Sequence, residues 1–300
     1  MHRITLLTNP DICNLHCPLC FLNQRGQAFG MGEMSWDVVE AAMRDAAGSG
    51  LREVIPSTMG EPLLYSHFNE LLDLCKSLNV KVNLTTNGTF PGFWGTTEGM
   101  RKLLECCCDI KISTLASECF GDWKRNVERL MTVAKSSDDR AASGSGNGCA
   151  ATVSLQVTLH KENLMMIPEI IAWSEAIGIH RIKWNTAVFL STAPRELVEK
   201  FALSPERVAE IRNYVKGFAA LGGSVKHEGN LFFGNGNRDD ANRVPRVDSY
   251  NEDRVDPRCG FDDEIWILPD GSEQHCPNPE RRFGNVDAAE AQCCNCPMAR

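Results

Sequence analysis

Three cysteines lie close together near the start of the chain. Cys13, Cys17 and Cys20 have the spacing C-x3-C-x2-C within the sequence DICNLHCPLC. A disulfide uses two thiols and a structural zinc site usually takes four ligands, so three thiolates complete neither. Three cysteines can instead hold three irons of a [4Fe–4S] cube whose fourth iron stays open for an exogenous ligand. The triplet therefore predicts such a cluster, with a half-built zinc site or chance thiols as the alternative.

A second set of cysteines lies at the other end of the chain. Cys259 and Cys276 flank Gly271 with the spacing C-x11-G-x4-C, and the sequence CCNCP follows at 293–297. The segment WILPDGSEQHCP is typical of a β-hairpin that turns at Asp-Gly. A C-x2-C pair serves zinc as well as iron–sulfur clusters, so these spacings leave both metals open.

The composition excludes several classes of protein. The chain has 300 residues, of which 43% are hydrophobic and 23% charged, so it can bury a sizeable core. A net charge of −8 argues against nucleic-acid binding, and neither a membrane-spanning run nor a signal peptide is present in the sequence. We therefore expect a cytoplasmic protein with no nucleic-acid or membrane partner. In that compartment the 14 cysteines are ligands, redox groups or buried small hydrophobes rather than disulfides.

Strand and helix patterns alternate through most of the chain, and these elements must position the first cysteine set. Strands alternating with helices imply parallel pairing through right-handed crossovers. Six such units predict an α/β fold, a partial (β/α)6 barrel of the TIM type, with its site at the carboxyl ends of the strands. The predicted strands are 3–9, 52–58, 81–88, 109–115, 151–159 and 179–188, and the helices between them include 35–50, 67–79, 126–136 and 163–178.

Two polar segments interrupt this alternation. Residues 136–148 are rich in Ser, Gly and Asp, which predicts a surface excursion between a helix and a strand. Residues 224–257 are mostly polar, which predicts a linker. We therefore expect a barrel over 1–223 and a small cysteine-rich C-terminal unit over 258–300.

The first cysteine triplet has the signature spacing of the radical S-adenosylmethionine (radical SAM) superfamily, and the chain resembles that family over roughly 5–190. Gly60-Glu61-Pro62 after the second predicted strand resembles the family's glycine–glutamate–proline motif. Met59 stands where a second glycine is common, and Leu19 where an aromatic residue is preferred. The resemblance implies that the amino and carboxylate groups of S-adenosylmethionine chelate the open iron, and that Gly60-Glu61-Pro62 contacts the amino group.

The third and fourth predicted strands end in further candidates for contacts with this cofactor. Strand ends at these positions lie near its methionine and ribose parts in the family, which implicates Thr86, Asn87 and Ser113. Asn-Gly is equally a common turn, so this interpretation depends on the rest of the resemblance.

The C-terminal cysteines resemble the opening half of the SPASM extension found on many radical SAM enzymes. A full SPASM unit needs more cysteines than remain here, which favours the shortened twitch version with one auxiliary [4Fe–4S] cluster. The resemblance implies that Cys259, Cys276, Cys293 and Cys296 are its ligands, with Cys294 as the rival of Cys293.

The resemblance also implies the reaction. Cleavage of S-adenosylmethionine gives a 5′-deoxyadenosyl radical, which removes a hydrogen atom from the substrate. Because the chain begins at its first strand, with no preceding domain to hold a leader peptide, we favour a small polar natural product. Oxidation is favoured, since an auxiliary cluster can accept an electron. Epimerisation would need a thiol donor, for which Cys119, Cys149 and Cys294 are candidates.

Two alternatives stay open. The first is a peptide maturase that cross-links or epimerises a residue, and the second is a non-enzymatic iron–sulfur or zinc-binding module. For the enzymatic interpretations, the expected partners are a small-molecule or peptide substrate and a flavodoxin- or ferredoxin-type electron donor.

Overall fold

One sheet runs through the residues that the computed structural model describes, which are 3–26, 28, 30–57, 59–114, 120–142, 151–232 and 264–274. Its nine described strands are numbered in chain order. They are β1 Arg3–Leu6, β2 Glu53–Pro56, β3 Lys81–Thr86, β4 Cys107–Ser113, β5 Thr152–Leu159, β6 Arg181–Thr186, β7 Lys226–Glu228, β8 Glu264–Ile267 and β9 Glu273–Gln274.

Helices connect most of these strands. They are α1 Phe21–Arg25, α2 Trp36–Gly48, α3 Phe68–Ser77, α4 Thr97–Cys106, α5 Phe120–Ala142, α6 Ile167–Ile177, α7 Arg195–Phe201 and α8 Pro205–Ala219. No described helix is long and apolar enough to cross a lipid bilayer.

The strand order is β7-β6-β5-β4-β3-β2-β1-β8-β9, and all neighbours pair in parallel except β8 and β9. Eight parallel strands with helical crossovers confirm the expected α/β fold, consistent with a partial TIM-type barrel. Because parallel strands place their carboxyl ends at one edge, the loops after β1, β2 and β3 meet there.

Side chains alternate between the two faces of the sheet. Val54, Val82, Ile110, Val153 and Ile182 are fully buried in one hydrophobic core, which also contains the apolar sides of the helices. Residues of the opposite parity are largely polar, so the inner face of the barrel is hydrophilic.

Asp109 is the centre of a polar cluster on that inner face. Its Oδ1 accepts hydrogen bonds from Ser154 Oγ at 2.7 Å and from Thr152 Oγ1 at 2.8 Å. Its Oδ2 lies 3.9 Å from Lys111 Nζ and 4.0 Å from Lys183 Nζ. Burial, and then the charge of Lys183, lower the pKa of Lys111 to about 8. The inner face thus holds a buried lysine whose pKa differs from its ordinary value in water.

Two boundaries differ from the sequence-based expectation. α5 continues to Ala142, so the first half of the predicted 136–148 excursion is helical, because the glycine-rich part begins only at 144. β7 lies inside the predicted linker 224–257 and pairs with β6, with Arg181 opposite Lys226. Three residues are too few to show a periodicity, so the sequence gives no signal for this strand.

The expected hairpin of the C-terminal unit is present, but it joins the main sheet. β8 pairs in parallel with β1, with Ile4 opposite Ile265. β9 folds back on β8 through a turn in which Gly271 N donates to Leu268 O at 2.9 Å. Gly271 has a φ of 84°, a conformation that glycine adopts without a steric penalty. β8 is a parallel strand that the six-unit prediction did not include.

Candidate functional site

A cavity of about 340 Å³ lies at the carboxyl ends of the first four strands. Its volume is in the range of small-molecule sites. It is lined by Cys13, Leu15, Cys17, Cys20, Ser57, Met59, Gly60, Glu61, Thr85, Thr86, Asn87, Thr89, Ser113, Asp122, Trp123 and Asn126. The structure thus brings the first cysteine set together with every predicted cofactor-binding residue except Pro62, which begins a buried 3₁₀ turn.

Two hydrogen bonds to the backbone of Glu61 hold the loop after β1 against the loop after β2. Glu61 N donates to Ile12 O at 2.8 Å, and Asn9 Nδ2 donates to Glu61 O at 2.8 Å. Gly60 has a φ of 72°, and a Cβ atom there would lie 2.1 Å from Asn9 O. Only glycine fits this close approach, so the Gly-Glu sequence fixes where the cysteine loop begins.

The three cysteines present their thiols to one wall of the cavity. Cys17 is buried, whereas Cys13 and Cys20 are partly exposed. Leu15 N and Asn87 Nδ2 lie 3.4 Å and 3.7 Å from Cys13 Sγ. Burial raises the pKa of both Cys13 and Cys20, so these thiols retain their protons until a ligand displaces them.

The arrangement of the thiols bears on which metal they suit. Across the described ranges, no three His, Cys, Asp or Glu side chains converge closely enough to hold one metal ion. A cubane cluster bonds each thiolate to a different iron, so it needs three separated sulfurs on one wall rather than a common point. Three thiols that line one cavity are a donor set of the kind that a [4Fe–4S] cluster uses.

The carboxylate of Glu61 joins the ends of two strands. It is 1% exposed, and its Oε1 accepts from Thr86 Oγ1 at 2.7 Å and from Leu63 N at 3.3 Å. Its Oε2 accepts from Asn87 N at 2.7 Å. Burial outweighs these hydrogen bonds and raises the pKa of Glu61 to about 7. The carboxylate holds Thr86 and Asn87 in place at the cavity through these hydrogen bonds.

Asn87 links this carboxylate to the cysteine loop. Its Nδ2 donates to Asn14 Oδ1 at 2.8 Å, and its Oδ1 accepts from Thr89 N at 2.9 Å. Asn14 Nδ2 in turn donates to Thr89 Oγ1 at 2.9 Å. The turn after β3 is thereby tied to the loop after β1 next to Cys13.

The sequence reasoning missed the residues that α5 contributes. Trp123 Nε1 donates to Ser113 O at 3.1 Å, and Asn126 Nδ2 donates to Gly88 O at 3.1 Å and to Thr89 O at 3.2 Å. A Cβ atom on Gly88 would lie 2.8 Å from Trp123 Nε1, so glycine lets the indole approach. The three-residue spacing of Trp123 and Asn126 after the fourth strand was the available signal.

The remaining predicted residues lie outside the described residues. They are the auxiliary-cluster cysteines Cys259, Cys276, Cys293 and Cys296, and the thiol candidates Cys119, Cys149 and Cys294.

Comparison with known proteins gives a family match for part of the chain. Residues 10–113 match the family model of the Radical SAM superfamily. This segment begins just after β1 and contains the three cysteines and the Glu61–Thr86–Asn87 contacts. The predicted resemblance is confirmed for it. No curated protein is similar enough in sequence to match the chain.

Solved structures show the same fold over most of the chain. Streptococcus suis SuiB bound to S-adenosylmethionine has a TM-score of 0.62 at 16% identity over 91% of this chain and 60% of that one. SuiB bound to its precursor peptide SuiA has a TM-score of 0.64 at 15% identity, over 95% of this chain and 61% of that one. Native anSMEcpe with bound AdoMet has a TM-score of 0.67 at 14% identity, over 96% of this chain and 76% of that one. The chain spans about three fifths of the length of SuiB, and at these identities the likeness concerns the fold.

Proposed function

We propose that this chain is a radical SAM enzyme, which reductively cleaves S-adenosylmethionine and removes a hydrogen atom from its substrate with the 5′-deoxyadenosyl radical. One observation carries the proposal. Cys13, Cys17 and Cys20 share a cavity with Glu61, Thr86 and Asn87, inside the segment that matches the superfamily.

Each part of the cavity has a role in this proposal. The three thiolates would hold a [4Fe–4S] cluster, which would supply the single electron for cofactor cleavage. Glu61 and Asn87 hold the loops after β2 and β3 against the cysteine loop, and Gly60, which lines the cavity, is the proposed contact of the cofactor's amino group. Thr86 and Ser113 lie at the ends of β3 and β4, where polar groups can accept or donate to the methionine and ribose parts.

The anaerobic formation of 5′-deoxyadenosine tests this proposal. Cluster-loaded protein mixed with dithionite and S-adenosylmethionine should release it, and Cys13→Ala should not. Cys108→Ala is the matched control, because this thiol lies on β4, outside the cavity, and should leave the activity intact. Absence of 5′-deoxyadenosine from the wild-type reaction would favour an iron–sulfur carrier or zinc module instead.

We further propose an auxiliary [4Fe–4S] cluster held by Cys259, Cys276, Cys293 and Cys296, with Cys294 as the rival of Cys293. The β8–β9 hairpin between the first two supports this twitch-like interpretation. About eight irons per chain are expected after anaerobic loading, and about four in the Cys13, Cys17 and Cys20 triple alanine variant. Zinc in place of the remaining irons would contradict the auxiliary cluster.

For the substrate, two classes are supported. The polar side chains that line the cavity, among them Thr85, Thr89 and Asn126, favour a small polar natural product, and an auxiliary cluster would accept the electron of an oxidation. A peptide substrate fits at least as well, because solved relatives include SuiB with its precursor peptide and anSMEcpe with the Kp18Cys peptide. Either class would draw electrons from a flavodoxin- or ferredoxin-type donor, and we place the reaction in the cytoplasm.

Deuterium oxide separates oxidation from epimerisation. A product two hydrogens lighter, without deuterium, indicates oxidation. One non-exchangeable deuterium in a product of unchanged formula indicates quenching by a thiol, for which Cys119, Cys149 and Cys294 are the candidates.

A further inference from the structure

Trp123 is the sole aromatic side chain among the described residues that line the cavity. It belongs to the first turn of α5 and is 6% exposed, so the surface it offers is confined to the cavity wall. Cys13, Cys17 and Cys20 line the same cavity. A ligand held at the cysteines therefore extends into a space that this indole borders.

The position of the indole is fixed by its neighbours. Its Nε1 donates to Ser113 O at 3.1 Å, which ties the ring to the end of β4. The ring of Trp173 lies 5.5 Å away at an interplanar angle of 40°. Gly88 leaves room for the ring edge, because any Cβ there would overlap with the indole. A ring held on several sides is preorganised for a ligand contact.

A sulfonium ion is an unusual cation to recognise, because it carries no N–H or O–H group to donate. It can be stabilised by a carboxylate or by the negative face of an aromatic ring. Both oxygens of the Glu61 carboxylate already accept hydrogen bonds from the chain. The other lining carboxylate, Asp122, is 74% exposed and paired with Arg125, so solvent screens it.

We propose that Trp123 is a specificity-determining residue that contacts the sulfonium of S-adenosylmethionine through a cation–π interaction, and so discriminates it from neutral S-adenosylhomocysteine. This inference rests on the proposed function. The inference names, in addition, the side chain that recognises the positive charge of the cofactor. The two compounds share the adenosine, amino and carboxylate groups, so their affinity ratio isolates the charged methylsulfonium.

Equilibrium dialysis of both compounds against cluster-loaded protein, without reductant, tests the proposal. Trp123→Leu should lower the affinity for S-adenosylmethionine relative to S-adenosylhomocysteine by roughly 3- to 30-fold, the range of a desolvated cation–π contact. Trp123→Phe should fall between Leu and wild type. Trp94→Phe is the matched control, since this equally buried ring lies outside the cavity lining and packs against Phe68 and Phe93, and it should leave the ratio unchanged.

The affinity ratio does not depend on the fraction of protein that is folded, and Trp123→Phe keeps an aromatic ring that Trp123→Leu removes. Equal weakening of both compounds would overturn the proposal, because it would assign the ring to adenine stacking or shape. Loss of the discrimination in Asp122→Asn, with Trp123→Leu unaffected, would overturn it in favour of the carboxylate. Failure of wild-type protein to bind either compound would instead reject the proposed function.

Discussion

The hydroxyl group of Thr86 donates a hydrogen bond of 2.7 Å to the buried carboxylate of Glu61, which joins the end of β3 to the loop after β2. The same carboxylate accepts from Asn87 N, next to the side chain that reaches Cys13. Two loops that are distant in sequence therefore depend on a single acid group.

Glu61→Ala should weaken the binding of S-adenosylmethionine by about ten- to hundredfold without loss of iron, because Thr86 and Asn87 lose the carboxylate that holds them. Equilibrium dialysis and iron analysis measure both effects. Glu70→Ala is the control, since this carboxylate on α3 is about half exposed. Unchanged affinity in Glu61→Ala would exclude a role of Glu61 in the cofactor site.

Glu61 should also make the free energy of unfolding depend on pH. Its folded-state pKa is raised from 4.5 to about 7, so the folded protein binds more protons than the unfolded chain between these values. Stability is therefore greatest below pH 4.5 for this group and falls as pH rises to 7, by about 3 kcal/mol. Urea unfolding of wild type and Glu61→Gln across this range should differ in slope. Parallel pH profiles would contradict the burial of an ionisable group here.

Gly60→Ala should destabilise the protein and reduce cluster loading, because the added Cβ would overlap with Asn9 O and Ile12 O. Gly26→Ala is a matched control, since Gly26 has the same φ of 72° but nothing within 4 Å of its Cβ position. We expect a loss of about 1 kcal/mol at Gly26 and about 3 kcal/mol or more at Gly60. Urea unfolding and iron analysis measure the difference, and equal losses would show that the conformation alone, not the close approach, requires glycine.

Lys111 should titrate near pH 8, because burial and then the charge of Lys183 oppose its protonation. Asp109 lies 3.9 Å away and favours the charged form, so Asp109→Asn should lower the pKa further. Carbon-13 NMR of labelled lysine side chains gives both values. An ordinary lysine pKa in the wild type would show that the inner face is more hydrated than the structure indicates.

Local spacing explains why much of the site was predictable. The cysteine triplet and Gly60-Glu61 lie in short loops, where the spacing of the thiols predicts a shared site and a close backbone approach restricts position 60 to glycine. The six strands from β1 to β6 were predictable because each has its own pattern of apolar residues. Neither property depends on where the rest of the chain lies.

Trp123 and Asn126 were missed for the opposite reason. They face the cavity because α5 crosses the sheet beside β3 and β4, and a helix sequence does not specify which strand ends it will meet. The placement of β8 was missed likewise, since its apolar pattern predicts a strand but not its partner. The helical extension to Ala142 differs from the loop predicted from residue 136. Ser and Asp there favour a loop, but Ala and Arg in the same segment favour a helix.

The pairing of β8 with β1 has a consequence for how the chain reaches its native state. Arg3 lies opposite Glu264, so β1 lacks one neighbour until the chain as far as β8 has been synthesised. Pairings between strands that are far apart in the sequence form slowly, because the entropy of closing a long loop must be paid first. Until then β1 is an edge strand with unpaired backbone groups, and it is the part of the sheet most exposed to association with another chain during biosynthesis.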